Sequence, residues 1–244
     1  MEKTQRRIED LGCGGLKIIQ DPSLYTFTSD SVILANFIKT KPKDKCLEIG
    51  MGGGIISILL SAKTKFESIT GLEFQKDMTL LAEENIKLNN LSSVVRVINM
   101  DAKDYRKKFL PGEFDVVFSN PPYMLESENK NKNECREIAR HEKYLPLNDL
   151  IKVMSDSLRF GGKAYIVYGA SRSAELISSL TLNKLEVKTM FFTENGKGRV
   201  VLVVIEAVKG GRKGVTVLPN LVTNDKKGDY YQKLNTRNFL SKID

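Results

Sequence analysis

With 244 residues, 41% of them hydrophobic and 28% charged, the chain can fill one α/β core and has the balance of a soluble globular protein. Its net charge of +8 favours a polyanionic partner through long-range attraction. Three scattered cysteines (Cys13, Cys46, Cys135) and a single histidine, His141, exclude paired zinc-site spacing and a disulfide framework, so no metal is expected and a cytoplasmic setting is. Met1–Asp10 lacks the apolar stretch of a signal peptide, and the apolar runs Ile55–Leu60 and Val200–Ile205 are too short to cross a bilayer.

From Cys46 onward, short apolar runs alternate with helical patterns. Cys46–Ile49 reads as a buried strand ending in Gly50-Met51-Gly52-Gly53-Gly54, and Ile55–Ala62 as the following helix. Ser68–Glu73 is a second strand, and Lys76–Asn89 a helix with apolar positions at Met78, Leu81, Ala82, Ile86 and Leu88. Val94–Ile98 and Phe114–Ser119 are strands three and four. Leu147–Leu158 is a helix stopped by Gly161-Gly162, Lys163–Tyr168 a fifth strand, and Ala174–Thr181 a helix. Leu185–Phe192 and Val200–Ala207 close the pattern. Their connection, Glu194–Arg199, is too short for a crossover helix and predicts an antiparallel hairpin. The expectation is an α/β fold: a seven-stranded, mostly parallel sheet with a C-terminal antiparallel hairpin and helices on both faces. That pattern resembles the Rossmann-like class I methyltransferases.

Ligands of open parallel sheets bind beyond the carboxyl ends of the strands. The glycines after the first strand lie there, and lacking Cβ they let the backbone approach a ligand closely. The dinucleotide spacing is broken at Ile55 and no Gly-Lys-Ser/Thr is present, which disfavours a pyrophosphate. Leu47-Glu48-Ile49-Gly50-Met51-Gly52-Gly53-Gly54 instead resembles the first methyltransferase motif. The resemblance implies S-adenosylmethionine as cofactor, contacted by Gly50, Gly52 and Gly54, with Glu48 near its charged methionine portion. Glu73, 23 residues past Gly50, ends the second strand, where a carboxylate can accept from both ribose hydroxyls. Asp101-Ala102 follows the third strand, where an Asp can accept from the adenine amino group. Upstream, Ser29 or Asp30 caps a helix carrying Val32, Ile33, Leu34 and Phe37. In similar amino-methyltransferases this segment covers the methionine end, which adds Thr28 and Asp30 as cofactor candidates.

The fourth strand ends in Asn120-Pro121-Pro122-Tyr123. Consecutive prolines fix φ and remove two backbone donors, so the turn is stiff. An exocyclic base amine is a poor nucleophile because its lone pair is delocalised into the ring. The Asn120 amide oxygen and the Pro121 carbonyl can each accept one N–H and aim that lone pair at an adjacent methyl group. Tyr123 can stack on a flipped or unpaired base. Asn120 also borders the cofactor, and Asn120 to Tyr123 form the candidate catalytic loop.

Two segments fall outside the alternation. Met124–Pro146 is a long loop with five acids and five bases, and Lys209–Asp244 carries eight Lys/Arg against three Asp. Residues 1–208 read as the methyltransferase domain, with 1–44 as a cap segment, and 209–244 as a basic extension that is no independent domain. Nearly the whole chain resembles the bacterial tRNA(Val) adenine-N6 methyltransferases: Gly14-Gly15-Leu16, Asp21–Ala35, the strand-end motifs, Ala139-Arg140-His141-Glu142, Val217-Leu218-Pro219 and a helical end near Tyr230–Leu240. It departs from them at Asn220, where a second Pro is common. The resemblance implies methylation of an anticodon-adjacent adenine in tRNA; neither metal nor membrane is expected as partner, and the sequence leaves the oligomeric state open with a monomer favoured. Arg140 and His141 are candidate RNA contacts, and Lys209, Arg212, Lys213, Lys226 and Lys227 candidate phosphate contacts. The alternatives are another amine, in ribosomal RNA, DNA adenine or a protein glutamine, or a non-catalytic RNA-binding protein. Only 45 residues precede the first core strand, too few for the separate helical domain typical of the glutamine enzymes.

Overall fold

The computed structural model describes residues 6–24, 26–123 and 144–223. Arg140, His141, Lys226, Lys227 and the helical end near Tyr230–Leu240 lie outside them.

All seven expected strands form one sheet. They are β3 (Lys45–Ile49), β4 (Ser68–Glu73), β5 (Val95–Asn99), β6 (Phe114–Ser119), β7 (Leu158–Gly169), β8 (Leu185–Asn195) and β9 (Val200–Lys209). Two short edge strands not anticipated, β10 (Thr216–Val217) and β11 (Leu221–Thr223), add parallel to β8. The order is β10-β8-β9-β7-β6-β3-β4-β5, with β3 to β7 parallel and β9 antiparallel to both β7 and β8. The chain winds outward from β3 to β5 and returns to β6 on the other side of β3. The switch point therefore lies between the ends of β3 and β6, where a ligand crevice opens in such sheets.

One face of the sheet packs on α1 (Ser29–Phe37), α2 (Ile55–Lys63) and α3 (Lys76–Leu88); the other packs on α4 (Leu147–Ser157) and α5 (Ser173–Leu182). Helix α1 is buried nearly all round, and Phe37 meets Tyr165 and Phe191 edge-to-face at 5.7 and 5.1 Å. In α3 the expected apolar stripe holds except at Leu88, which is exposed, while Asn85 is fully buried. No helix among the described residues is long and apolar enough to cross a membrane.

Asn85 accounts for an element that the apolar pattern does not announce, the antiparallel hairpin of β1 (Arg7–Asp10) and β2 (Lys17–Gln20). Asn85 Oδ1 accepts from Ile19 N at 2.6 Å, and its Nδ2 donates to Ile19 O at 3.1 Å. One turn later, Asn89 makes the same two-way pair with the backbone of Lys17, at 2.9 and 2.7 Å. Spacings of four on a helix and two on a strand put both asparagines opposite one strand edge, so the side chains imitate a neighbouring strand. Asn85 Nδ2 also donates to Gly53 O at 3.0 Å, which fastens the hairpin to the glycine loop.

A second correction concerns Gly161-Gly162. The helix ends at Ser157 and β7 starts at once with Leu158. The glycines sit inside the strand, where Phe114 pairs with Leu158 but Val116 with Lys163. Gly161 takes φ +75°, and a Cβ on Gly162 would lie 2.9 Å from Arg159 O, so the pair forms a bulge and not a helix stop.

Candidate functional site

The loop after β3 turns tightly into α2. Gly50, Gly52 and Gly54 all have positive φ, at 72°, 57° and 87°, which only glycine adopts without strain. Met51 crosses the neighbouring strand so closely that a Cβ on Gly71 would lie 2.3 Å from its Cε. Ser119 Oγ donates to Ile49 O at 2.7 Å and ties the ends of β6 and β3 together across the switch point. The sequence gives no hint of this bond, because Ser119 reads simply as the last residue of a strand.

Two hollows flank the loop and share Gly50, Gly52 and Asn120. The larger opens between the ends of β4, β5 and β6. It is bordered by Glu73, Met100, Asp101 and Ala102 and by Asn120, Pro121 and Pro122. Phe74 and Tyr144, at its edge, stack at 5.8 Å and 29°. Glu73 is 6% exposed. Its Oε2 accepts from Gly52 N and its Oε1 from Gln75 N, both at 2.8 Å. Burial raises its pKa, and these N–H groups partly oppose the shift. Phe74 N–H adds to the same opposition, and the carboxylate keeps a lone pair for a further donor. Asp101 caps the short helix Ala102–Lys107 by accepting from Lys103 N at 2.9 Å, and its Oδ2 lies 3.4 Å from Lys103 Nζ.

The smaller hollow runs between β2, the start of α1 and the glycine loop, lined by Gln20, Phe27, Ser31, Glu48 and Asn120 among others. Glu48 is 1% exposed. It accepts the Ser57 hydroxyl, and its Oε1 has no partner among the described residues. Burial pushes its pKa up to about 8, with the Ser57 bonds opposing and Glu73 adding to the rise. A carboxyl whose folded value is raised contributes stability fully below its unfolded value near 4.3, and that stability is lost as pH rises through the folded value. The ligand-free protein is expected to lose stability from this group as pH rises from about 5 to about 8. Thermal melts across that range should slope downward, and Glu48→Gln should flatten the slope. An identical slope in the variant rules this out.

The catalytic-loop candidates are tethered to α1. Asn120 Nδ2 donates to Ser31 Oγ at 2.9 Å, and Tyr123 Oη donates to Asp30 Oδ2 at 2.5 Å. With its nitrogen committed to Ser31, the Asn120 amide has its oxygen left for a donor in the cleft. The Tyr123 ring packs edge-on against Tyr168 at 6.0 Å. Asp30 thus contacts the loop through Tyr123, Thr28 is exposed, and neither residue borders either hollow. Ser31, missed in the sequence, is the residue of this segment that reaches Asn120. The sequence offers it only as the residue after the expected cap, whereas the helix already includes Ser29 and Asp30 and has Thr28 at its cap, with no side-chain cap bond.

The basic extension runs elsewhere. Antiparallel β9 sets Leu202 against Gly169, at the site end, and Val208 against Lys163, at the far end. Lys209, Arg212 and Lys213 follow that far end. The Lys209 ammonium donates to Ser155 O and Leu158 O, both at 2.7 Å, where it complements the carboxyl end of α4. These three residues are not brought to the cleft. Exposed bases at the site end include Lys197 and Arg199, in the turn between β8 and β9, and Lys76 and Lys103, after the ends of β4 and β5.

Residues 16–197 match the family described as Methyltransferase small domain. The tRNA1(Val) (adenine(37)-N6)-methyltransferase of Tolumonas auensis is 26% identical over 183 residues, 75% of each chain. A putative protein N5-glutamine methyltransferase of Methanocaldococcus jannaschii is 38% identical over 117 residues, 48% of this chain and 55% of that one. Among solved structures, a predicted O-methyltransferase of Agrobacterium tumefaciens superposes with a TM-score of 0.65 at 19% identity, covering 85% of this chain and 96% of its own. The residues fit a nucleoside joined to an amino acid. A buried carboxylate with a lone pair to offer a hydroxyl borders the larger hollow, and an orphaned carboxylate oxygen belongs to a residue lining the smaller one.

Proposed function

The chain belongs to the methyltransferase small domain family and is an S-adenosylmethionine-dependent methyltransferase; from that premise we propose that it methylates the exocyclic N6 of an adenine in tRNA, beside the anticodon. The observation that carries this reading is the tether from Asn120 to Ser31 at the border of both hollows. S-adenosylmethionine supplies an electrophilic methyl on a positively charged sulfur. Glu73 holds the ribose hydroxyls, the glycine loop approaches the ligand through its backbone, and Asp101 and Ala102 border the adenine. Asn120 Oδ1 and the Pro121 carbonyl accept the two N–H bonds of the target amine and orient its lone pair. No strong base is required, because the amine proton turns acidic only as the new C–N bond forms.

Tyr123 supports the turn from behind, through Asp30 and Tyr168. Lys197 and Arg199 stand where phosphates of a bound RNA can be met, and such contacts position the RNA without reading sequence. The adenine reading is favoured by the relative of that name, which aligns over three quarters of both chains. A second reading, transfer to a protein glutamine amide, is favoured by the higher identity of the shorter match. Both acceptors are planar amides or amidine-like amines that suit the same pair of oxygens.

Incubation with labelled methyl donor and unmodified tRNA, ribosomal RNA, DNA and protein extract separates the readings. The expected product is N6-methyladenosine in tRNA, identified by nucleoside mass spectrometry. Label confined to protein, DNA or ribosomal RNA refutes the tRNA assignment.

A further inference from the structure

Two residues that line the smaller hollow each carry a buried acceptor with no partner among the described residues, Glu48 Oε1 and Gln20 Oε1. Glu48 is 1% and Gln20 7% exposed, so bulk water does not satisfy either. Gln20 cannot simply be reversed. Its Nε2 donates to Glu9 Oε2 at 2.5 Å, and turning the amide over would set its oxygen against that carboxylate. Nor can its strand swing away, since Asn85 and Asn89 hold the backbone of Ile19 and Lys17. Glu48 is fixed at its other oxygen by Ser57.

An amide oxygen and a carboxyl oxygen, both buried on residues that line one hollow, suit a group with several donors and a positive charge that ionises the carboxyl as it binds, which is an ammonium. The two hollows share Gly50, Gly52 and Asn120, so an elongated ligand with its nucleoside in the larger hollow has its other end in the smaller. We propose that Gln20 of the N-terminal hairpin joins Glu48 as the receptor for the α-ammonium of the methyl donor. This rests on the reading of the glycine loop as the donor site and extends that site to a strand outside the strand-end series. The hairpin then has a function besides covering α3: Asn85 grips both Ile19 and Gly53, and so holds Gln20 in register with the loop.

Titration calorimetry on the full chain with two probes tests this. One is S-adenosylhomocysteine; the other is its α-keto analogue, which keeps the nucleoside, thioether and carboxylate and replaces the amine by a carbonyl. The wild type should prefer S-adenosylhomocysteine by roughly tenfold or more, the value of a charged hydrogen-bond pair. Gln20→Leu should remove most of that preference by weakening S-adenosylhomocysteine alone, with the keto analogue bound as before. A wild type that binds both probes equally overturns the proposal and leaves the two acceptors to trapped water. Full preference retained in Gln20→Leu also overturns it. If Gln20→Leu loses both probes, Gln20→Met is scored in the same way, and loss of both probes there too assigns Gln20 a purely structural role. Neither probe needs a methyl acceptor, so these failures leave the tRNA reading standing. Absence of any S-adenosylhomocysteine binding by the wild type would instead overturn the donor site itself, and the role of Gln20 with it.

Discussion

Asn120→Ala is expected to lower single-turnover methyl transfer by about a hundred- to a thousandfold, the usual effect of deleting one preorganised polar partner of a reacting group. Binding of S-adenosylhomocysteine should stay within a few fold of the wild type. The separation follows from what the side chain touches. Its nitrogen is tied to Ser31 on α1, and its oxygen is the part that can reach an amine in the cleft. The donor is held mainly elsewhere, by the glycine loop and Glu73. Asn120→Asp keeps an acceptor oxygen but loses the donor to Ser31 Oγ, which must then turn its own hydroxyl toward the carboxylate. That variant should retain part of the activity, about a tenth. Label transfer by rapid quench and affinity by calorimetry measure the two quantities independently. Undiminished transfer by Asn120→Ala would refute the assignment of the amide, and a parallel loss of donor affinity would show that Asn120 acts on binding.

Four of the parallel strands are legible in the sequence because each is a short apolar run that leads into a chemically distinctive residue: Gly50, Glu73, Asp101 or Asn120. Their ends fall side by side at the switch point, so a series along the chain becomes a site in space. What stays hidden depends on partners far away in the chain. The hairpin strand β2 has no long apolar alternation, and its register is set by Asn85 and Asn89, more than sixty residues on. Ser31 reads as one more polar residue at a helix start, and only the approach of β6 makes it the partner of Asn120. The basic extension misleads for a different reason. Charge counting ignores direction: an antiparallel β9 carries Lys209 to the end of the sheet away from the cleft, where the carbonyls of Ser155 and Leu158, at the junction of α4 and β7, take up its ammonium. The same hairpin leaves Lys197 and Arg199 at the site end, in a turn whose sequence announces only a connection.

Glu73→Gln should weaken S-adenosylhomocysteine by about thirtyfold or more although it changes no volume. Each Glu73 oxygen accepts a backbone N–H, one from Gly52 and one from Gln75. An amide has a single oxygen, so its NH2 must face one of these donors, breaking that bond and pushing on the glycine loop or on the start of α3. It also has one acceptor where two ribose hydroxyls need two. Losing one hydroxyl bond to a charged acceptor amounts to about 2–3 kcal/mol of affinity, while the stranded backbone donor lowers the stability of the free and bound variant alike. The pH dependence gives an independent reading. Burial raises the Glu73 pKa, so the empty site eases protonation of this group relative to a free carboxyl, and its contribution to stability is lost as pH rises through its folded value. Hydroxyl donors favour the ionised form, so donor affinity should strengthen with rising pH in the wild type and show no such component in Glu73→Gln. Calorimetry from pH 5 to 9, with Glu48→Gln as background to remove the other buried carboxyl, isolates the effect. An affinity in Glu73→Gln that equals the wild type and still climbs with pH would show that the ribose is held by other groups.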